Sequence, residues 1–184
     1  MSSITTKNLT ARSGEPFVIR TAEPRDAAAM LAYIRVVAAE TEFFVLEPDE
    51  FPATEELERQ WIQEHLDHPG QIVLLAEASG SVIGNVSFES GPHRRIAHRG
   101  NLGISVFKEW RGKGIGTALL RTLLEWAKEN PIIEKVGLEV SSTNEGAIRL
   151  YRKLGFMEAG RKPKEVKLGP EKYVDSVVMY QFVK

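Results

Sequence analysis

The chain of 184 residues contains no cysteine. Disulfides, thiolate zinc sites and a cysteine nucleophile are excluded outright. No apolar run approaches the roughly 18 residues that a membrane-spanning helix needs. Residues 1–10 are polar and lack the apolar segment of a secretory signal, so a cytoplasmic protein with no membrane partner is expected. An excess of charge is missing as well, with 24 Lys and Arg against 25 Asp and Glu. That balance gives no footprint for nucleic acid, so any anion site must be local. The two basic concentrations, "HRRIAHRG" and "RKLGFMEAGRKPK", read most simply as solvated loop charge.

What is present is enough for a packed core: 42% hydrophobic and 27% charged residues over a length that needs no crosslinks. No repeat or low-complexity linker divides the chain. Residues 1–14 read as a flexible, frayed tail and residues 15–184 as one domain. The first ordered strand is expected at 17–22. "EPRDAAAMLAYIRVVAAE" then spaces Ala27, Met30, Leu31, Ile34, Val37 and Ala38 as one face of a helix. A second helix runs from Thr54 towards His65 and stops at Pro69-Gly70.

After Gly70 the period becomes extended. "QIVLLAEAS" and "SVIGNVSFES" form a hairpin, and "HRGNLGISVF" a third strand. A helix at 114–129 follows, with Ile115, Leu119, Thr122, Leu123 and Trp126 on one side. Then come a strand in "IEKVGLEVSS", a helix in "NEGAIRLYRKL" and a final strand pair in "FMEAGRKP" and "KYVDSVVMYQFV". The order predicts an α/β or α+β chain around a mixed sheet.

The junction "RGKGIGT" places three glycines on alternate positions where a strand hands over to a helix. A Walker A loop fails because Gly114, not Ser or Thr, follows Lys113. A dinucleotide fingerprint fails because Thr117 stands where the last glycine belongs. Bare backbone N–H groups at a helix N-terminus still suit a diphosphate. Tight packing of the helix on the sheet is the other reading of the same glycines. Downstream, Asn144 sits where a helix begins, either to cap it or to hold a polar ligand group. Tyr151 lies on the face shared by Ala147, Ile148 and Leu154, as a core residue or as a presented hydroxyl.

Together, Arg111-Gly112-Lys113-Gly114-Ile115-Gly116 and the later Asn144, Ala147, Tyr151 and "LGF" resemble the two signatures of the GNAT superfamily of acyl-CoA-dependent N-acetyltransferases. The likeness runs more loosely from "IRTAEPRDA" to the end of the chain. It implies a central, mostly antiparallel sheet of six or seven strands flanked by about four helices. It also implies acetyl-CoA as co-substrate, no metal and a primary amine of a small molecule or peptide as acceptor, and it allows a homodimer. A CoA-binding sensor without turnover is the alternative.

By that resemblance Ile104, Ser105 and Val106 would present backbone groups to the pantetheine arm. Amides of Gly112, Lys113, Gly114, Ile115, Gly116 and Thr117 would hold the diphosphate beside Arg111. Asn144 would bond the pantetheine side. A free amine would attack the thioester, an N–H near Val106 would stabilise the oxyanion, and Tyr151 would protonate the departing thiolate. Glu139 matches a base of amino-terminal acetyltransferases of ribosomal proteins, although it also fits the polar face of its strand. Glu42, Glu89 and His98 are rivals for that role. Acceptor selection is expected from "TEFFVLEPDEFPA", with Phe43, Phe44, Phe51 and acidic Glu42, Glu47, Asp49 and Glu50, and from the last hairpin. His65 and His68, one turn apart, would bind metal only with further ligands.

Overall fold

The computed structural model describes residues 2–45 and 54–184. In chain order the elements are β1 (Lys7–Thr10), β2 (Pro16–Thr21), α1 (Ala27–Ala39), α2 (Glu55–Asp67), β3 (Gln71–Ala78), β4 (Ser81–Ser90), β5 (Arg99–Val106), α3 (Ile115–Glu129), β6 (Lys135–Ser141), α4 (Glu145–Lys153), β7 (Met157–Gly169) and β8 (Lys172–Phe182). All eight strands join one sheet, ordered β1-β2-β3-β4-β5-β6-β8-β7. The expected mixed α/β architecture with four helices is present, with one strand more than the upper estimate.

That extra strand is β1, inside the stretch expected to be a frayed tail. It pairs antiparallel with β2 from Lys7 opposite Ile19 to Thr10 opposite Pro16. Further upstream, Ser2 donates its N–H to the Leu66 carbonyl at 2.9 Å, and Ile4 donates to the Thr21 hydroxyl at 3.0 Å. In each tie the segment contributes backbone groups, to the edge of the sheet and to α2. They need no apolar alternation in the sequence, which is why periodicity did not reveal them.

Helices on both faces explain the near-continuous apolar run of β3, whose residues Ile72 to Ala76 are all buried. One core lies under α3 and α4 and includes Phe88, Leu119, Leu123, Trp126, Leu138 and Ile148. The other lies under α1 and α2 and includes Met30, Tyr33, Ile62, Val73 and Leu75. Each large side chain buried this way contributes about 1.5–3 kcal/mol. Thr54 caps α2 by accepting the Leu57 N–H, and Glu55, Glu56 and Glu58 occupy its first turn, where negative charge is favoured. The start of α1 is fixed by Arg20, which grips both Asp26 oxygens at 2.7 and 2.8 Å. Burial opposes ionisation of Asp26, but the bonds from Arg20 and Glu23 prevail and hold its pKa low.

Every neighbouring pair of strands is antiparallel except one. β5 and β6 run parallel, and they pair only from Arg99 opposite Lys135 to Asn101 opposite Gly137. Beyond that point the two strands part, and the sheet opens as a wedge.

Candidate active site

The wedge exposes one edge of β5. On its other edge β5 is paired with β4 through to Val106 opposite Gly84. Phe107 N–H bonds the Ile83 carbonyl, and Gly91 N–H bonds the Arg99 carbonyl. Antiparallel strands alternate the direction of their backbone groups, so odd-numbered residues of β5 face β4. The N–H and C=O of Ile104 and Val106 therefore face the gap. Ser105 is the exception within the expected trio, because its backbone faces β4.

The gap leads into a cleft of about 1070 Å³. Its floor at one end is the glycine junction. Gly112 and Gly114 have φ of +76° and +95°, a conformation that a side chain makes costly. Gly114 serves as N-cap of α3 without a side-chain cap, and the first bond within the helix runs from Ala118 N–H to the Gly114 carbonyl. The amides of Ile115, Gly116 and Thr117 are thus left without helical partners, and they carry the positive end of the helix dipole. Gly116 has no such strain. A Cβ there would lie 3.7–4.0 Å from Leu150, Val106 and Ile104, in ordinary contact.

The cations around this junction are not distributed as the sequence led one to expect. Lys113 turns aside to Glu15 at 3.1 Å and lies over the Trp110 ring. The Ser13 hydroxyl above all, then Glu15's own backbone and Lys113, hold the Glu15 carboxyl down at about 2, so that pairing persists at neutral pH. Arg111 Nε donates to the Val106 carbonyl at 2.9 Å, and its guanidinium stands 3.6 Å from Glu40. Both residues shape the loop with their side chains. The cation beside the glycines is Arg12, which follows β1 and lines the cleft with its Cγ and Nε 3.7 Å from where a Gly114 Cβ would sit. Its own N–H bonds the Lys113 carbonyl at 2.9 Å.

Asn144 and Tyr151 line the cleft from the β6 side. Asn144 caps α4 by accepting the Ala147 N–H at 3.2 Å, which leaves its amide NH2 available. Tyr151 is buried against Phe156, with ring centroids 5.8 Å apart. Burial pushes its phenol up to about 12, and its hydroxyl has no partner among the described residues.

The opposite half of the cleft lies on the α1 face of the sheet. Asn101 pairs with Gly137, and Ser105 and Glu139 each lie an even number of residues further on, so both side chains share that face. Glu139 lines the cleft and bonds Lys162 of β7 at 2.6 Å. That bond raises the Lys162 pKa, so the lysine stays charged. Ser105 Oγ donates to Asn85 Oδ1 at 2.6 Å and stands 2.9 Å from the Tyr33 hydroxyl. Tyr33 is itself buried, which raises its pKa strongly.

Around these polar groups stand Met30, Ile34, Phe43, Phe44 and Trp61. Phe51, Glu47, Asp49 and Glu50 lie outside the described residues. An acid that sequence reading passed over, Glu58, also lines the cleft, and burial raises its pKa. Among the described residues the last hairpin does not line it and reaches it only through Lys162. The rival bases are elsewhere: Glu89 stands 3.2 Å from His65, and Glu42 is 3.9 Å from Lys172. His98 holds the start of β6 with its carbonyl. His65 donates to the Trp61 carbonyl, and His68 accepts the Gly70 N–H. Among the described residues no group of acidic and histidine side chains is arranged to hold a metal ion, and no helix is long and apolar enough to cross a membrane.

Residues 36–156 match the sequence pattern of the Acetyltransferase (GNAT) family. The L-amino acid N-acetyltransferase AaaT of Escherichia coli (strain K12) is 30% identical over 162 residues, which span 88% of this chain and 95% of that one. An N-alpha-acetyltransferase of Sulfurisphaera tokodaii is 30% identical over 178 residues, covering 92% and 93%. An acetyltransferase of the GNAT family from Streptococcus pneumoniae superposes with a TM-score of 0.88 at 32% identity, over 91% of this chain and 99% of its own. The wedge between β5 and β6, the glycine-opened helix and these likenesses agree, and the chain belongs to the GNAT family of acetyltransferases.

Proposed function

We propose that the protein moves an acetyl group from acetyl-CoA to a primary amine by direct attack. The observation that carries this reading is the edge of β5 left open by β6, running towards a helix N-terminus opened by glycines at 112, 114 and 116. An amide-bearing arm can add to that edge as a strand would, with its phosphates on the loop amides. Ile104 and Val106 would bond the arm, the amides of 112–117 would hold the diphosphate with Arg12 beside them, and Asn144 would steady the arm from the far side.

Val106 N–H points into the gap where the thioester carbonyl would lie. As its oxygen gains charge, one fixed donor there is worth roughly 10²–10³ in rate. Tyr151 remains a neutral phenol throughout the neutral range because its pKa is pushed up to about 12. It is suited to giving a proton to a departing thiolate. No protein nucleophile is required, in keeping with the absence of cysteine.

Glu139 is the base in this reading, since of Glu139, Glu42, Glu89 and His98 it alone lines the cleft, and unlike Glu58 it stands on β6 next to the gap. An incoming ammonium would compete with Lys162 for its carboxylate. The demand on it depends on the acceptor. An amine of pKa near 10.4 is about 0.04% neutral at pH 7, whereas an α-amine near 7.7–8.0 is roughly 10–20% neutral. Free amino acids, peptide termini and small amines remain the candidates, and a soluble cytoplasmic setting is part of the same proposal.

The test combines calorimetry with thiol release. Acetyl-CoA and CoA, but not ATP, should bind, and a panel of amines should provoke release of free CoA. CoA binding with no release by any amine would favour the sensor, and no CoA binding would sink the reading.

A further inference from the structure

The string Tyr33–Ser105–Asn85 is built from side chains and is separate from the open backbone edge at Ile104 and Val106. It joins α1, β5 and β4, all three residues line the cleft, and it lies on the face shared with Glu139. Its hydrogens can be assigned by elimination. Asn85 Oδ1 only accepts, so Ser105 must give its one proton along the 2.6 Å bond. Ser105 then has no proton left for the 2.9 Å contact, and Tyr33 must be the donor there. One lone pair of the Ser105 oxygen receives the Tyr33 proton. One lone pair remains.

We infer that this remaining lone pair of Ser105 accepts an N–H of the acceptor amine, and that Tyr33, acting through Ser105, is the positioning residue that keeps it available. The inference rests on the transfer reading above and names the group that orients its acceptor. Both hydroxyl protons of the string are committed within it, so at Ser105 the site accepts and does not donate. It suits an amine, which can give one N–H to Ser105 and keep its own lone pair free to attack. The string ends in a neutral amide, which is too weak a base to take the proton that leaves the amine. It therefore orients without deprotonating, and its effect is separable from that of Glu139. The Tyr33 ring is tilted against Phe107 at 4.6 Å, so removal of the hydroxyl leaves the ring packing in place. The Ser105 backbone faces β4, so a change of its side chain leaves the open edge of β5 intact.

The experiment is steady-state thiol release with the best amine of the panel, on the unchanged protein, Tyr33→Phe, Ser105→Ala, Ser105→Thr and the double variant Tyr33→Phe with Ser105→Ala. Thermal melts and acetyl-CoA calorimetry accompany each. Loss of one hydrogen bond to the amine should raise the amine KM of Ser105→Ala by about tenfold, with acetyl-CoA affinity unchanged. Tyr33→Phe should raise it by about threefold, and the double variant should be no worse than Ser105→Ala alone, because Tyr33 acts only through Ser105. Ser105→Thr should recover most of the loss. The pH profile of kcat/KM should keep its shape in all of them, whereas Glu139→Gln should alter it. An unchanged amine KM in Ser105→Ala, additive effects in the double variant, or a parallel loss of acetyl-CoA affinity would overturn the inference while leaving the transfer reading standing. Failure of the unchanged protein to acetylate any amine despite binding acetyl-CoA would overturn the transfer reading, and this inference with it.

Discussion

The two halves of the cleft are built by different rules. The half facing α3 and α4 is made from consecutive residues at two strand-to-helix junctions, and its chemistry is mostly backbone: bare amides at 112–117, the open edge at Ile104 and Val106, and the cap at Asn144. The half facing α1 is made from side chains of residues far apart in sequence, such as Tyr33 with Ser105 across 72 positions and Glu139 with Lys162 across 23. A backbone site tolerates drift in most side chains but not in conformation. A side-chain site has the reverse sensitivity, and it can change acceptor without disturbing the co-substrate.

That contrast can be broken most severely at Gly114. Gly114→Glu forces a side chain onto a φ of +95° and adds negative charge to an anion site. CoA binding by calorimetry should weaken by at least about 100-fold. Retention of affinity would show that the loop conformation is dispensable. Next in size is Tyr151→Phe, which should lower kcat by about 10²-fold while acetyl-CoA affinity changes little.

The phenol's pH dependence has a definite sign. Burial raises its pKa to about 12, so the neutral acid persists as pH rises past 10, and activity should show no phenol-linked fall between pH 7 and 10. A titration of kcat within that window that vanishes in Tyr151→Phe would contradict the burial argument.

A smaller effect sharpens the acceptor side. Glu139→Gln should cost roughly tenfold in kcat/KM for a lysine-like amine and clearly less for an α-amine, because a far larger fraction of the latter arrives neutral. Equal losses for both would mean that Glu139 does something other than remove a proton. Smallest is Arg12→Ala. It should weaken CoA about three- to tenfold with steep salt dependence, leave pantetheine unaffected, and exceed the effect of Lys113→Ala. Equal effects of the two substitutions would mean that the Lys113 ammonium serves the anion as much as Arg12 does, despite its pairing with Glu15.

Legibility in the sequence followed the same division. Alternation and helical spacing located α1, α3, α4 and the central strands because both faces of the sheet are covered and the pattern had to be apolar. The glycine loop, Asn144 and Tyr151 were readable because their spacing is local. Arg12 was not, because the four-residue strand before it is held by edge hydrogen bonds and carries half-exposed side chains. Nor was the diversion of Lys113 and Arg111, since Glu15 and Glu40 reach them only through tertiary packing. Ser105 was named for its backbone, yet register turns that backbone to β4 and leaves the hydroxyl as its distinctive contribution. The string it joins has no sequence signal, because nothing local links Tyr33 to Asn85.

The three residue pairs that join β5 to β6 have a mechanical consequence. Among the backbone ladders of the described residues, those pairs alone connect the five-stranded half to the three-stranded half, and beyond them the facing edges of β5 and β6 are not paired with each other. An arm seated there would act as a splint as well as a reactant, bracing both halves against each other. Amide exchange in β5 and β6 should then slow on CoA binding more than anywhere else in the sheet, and release of the product would restore the hinge.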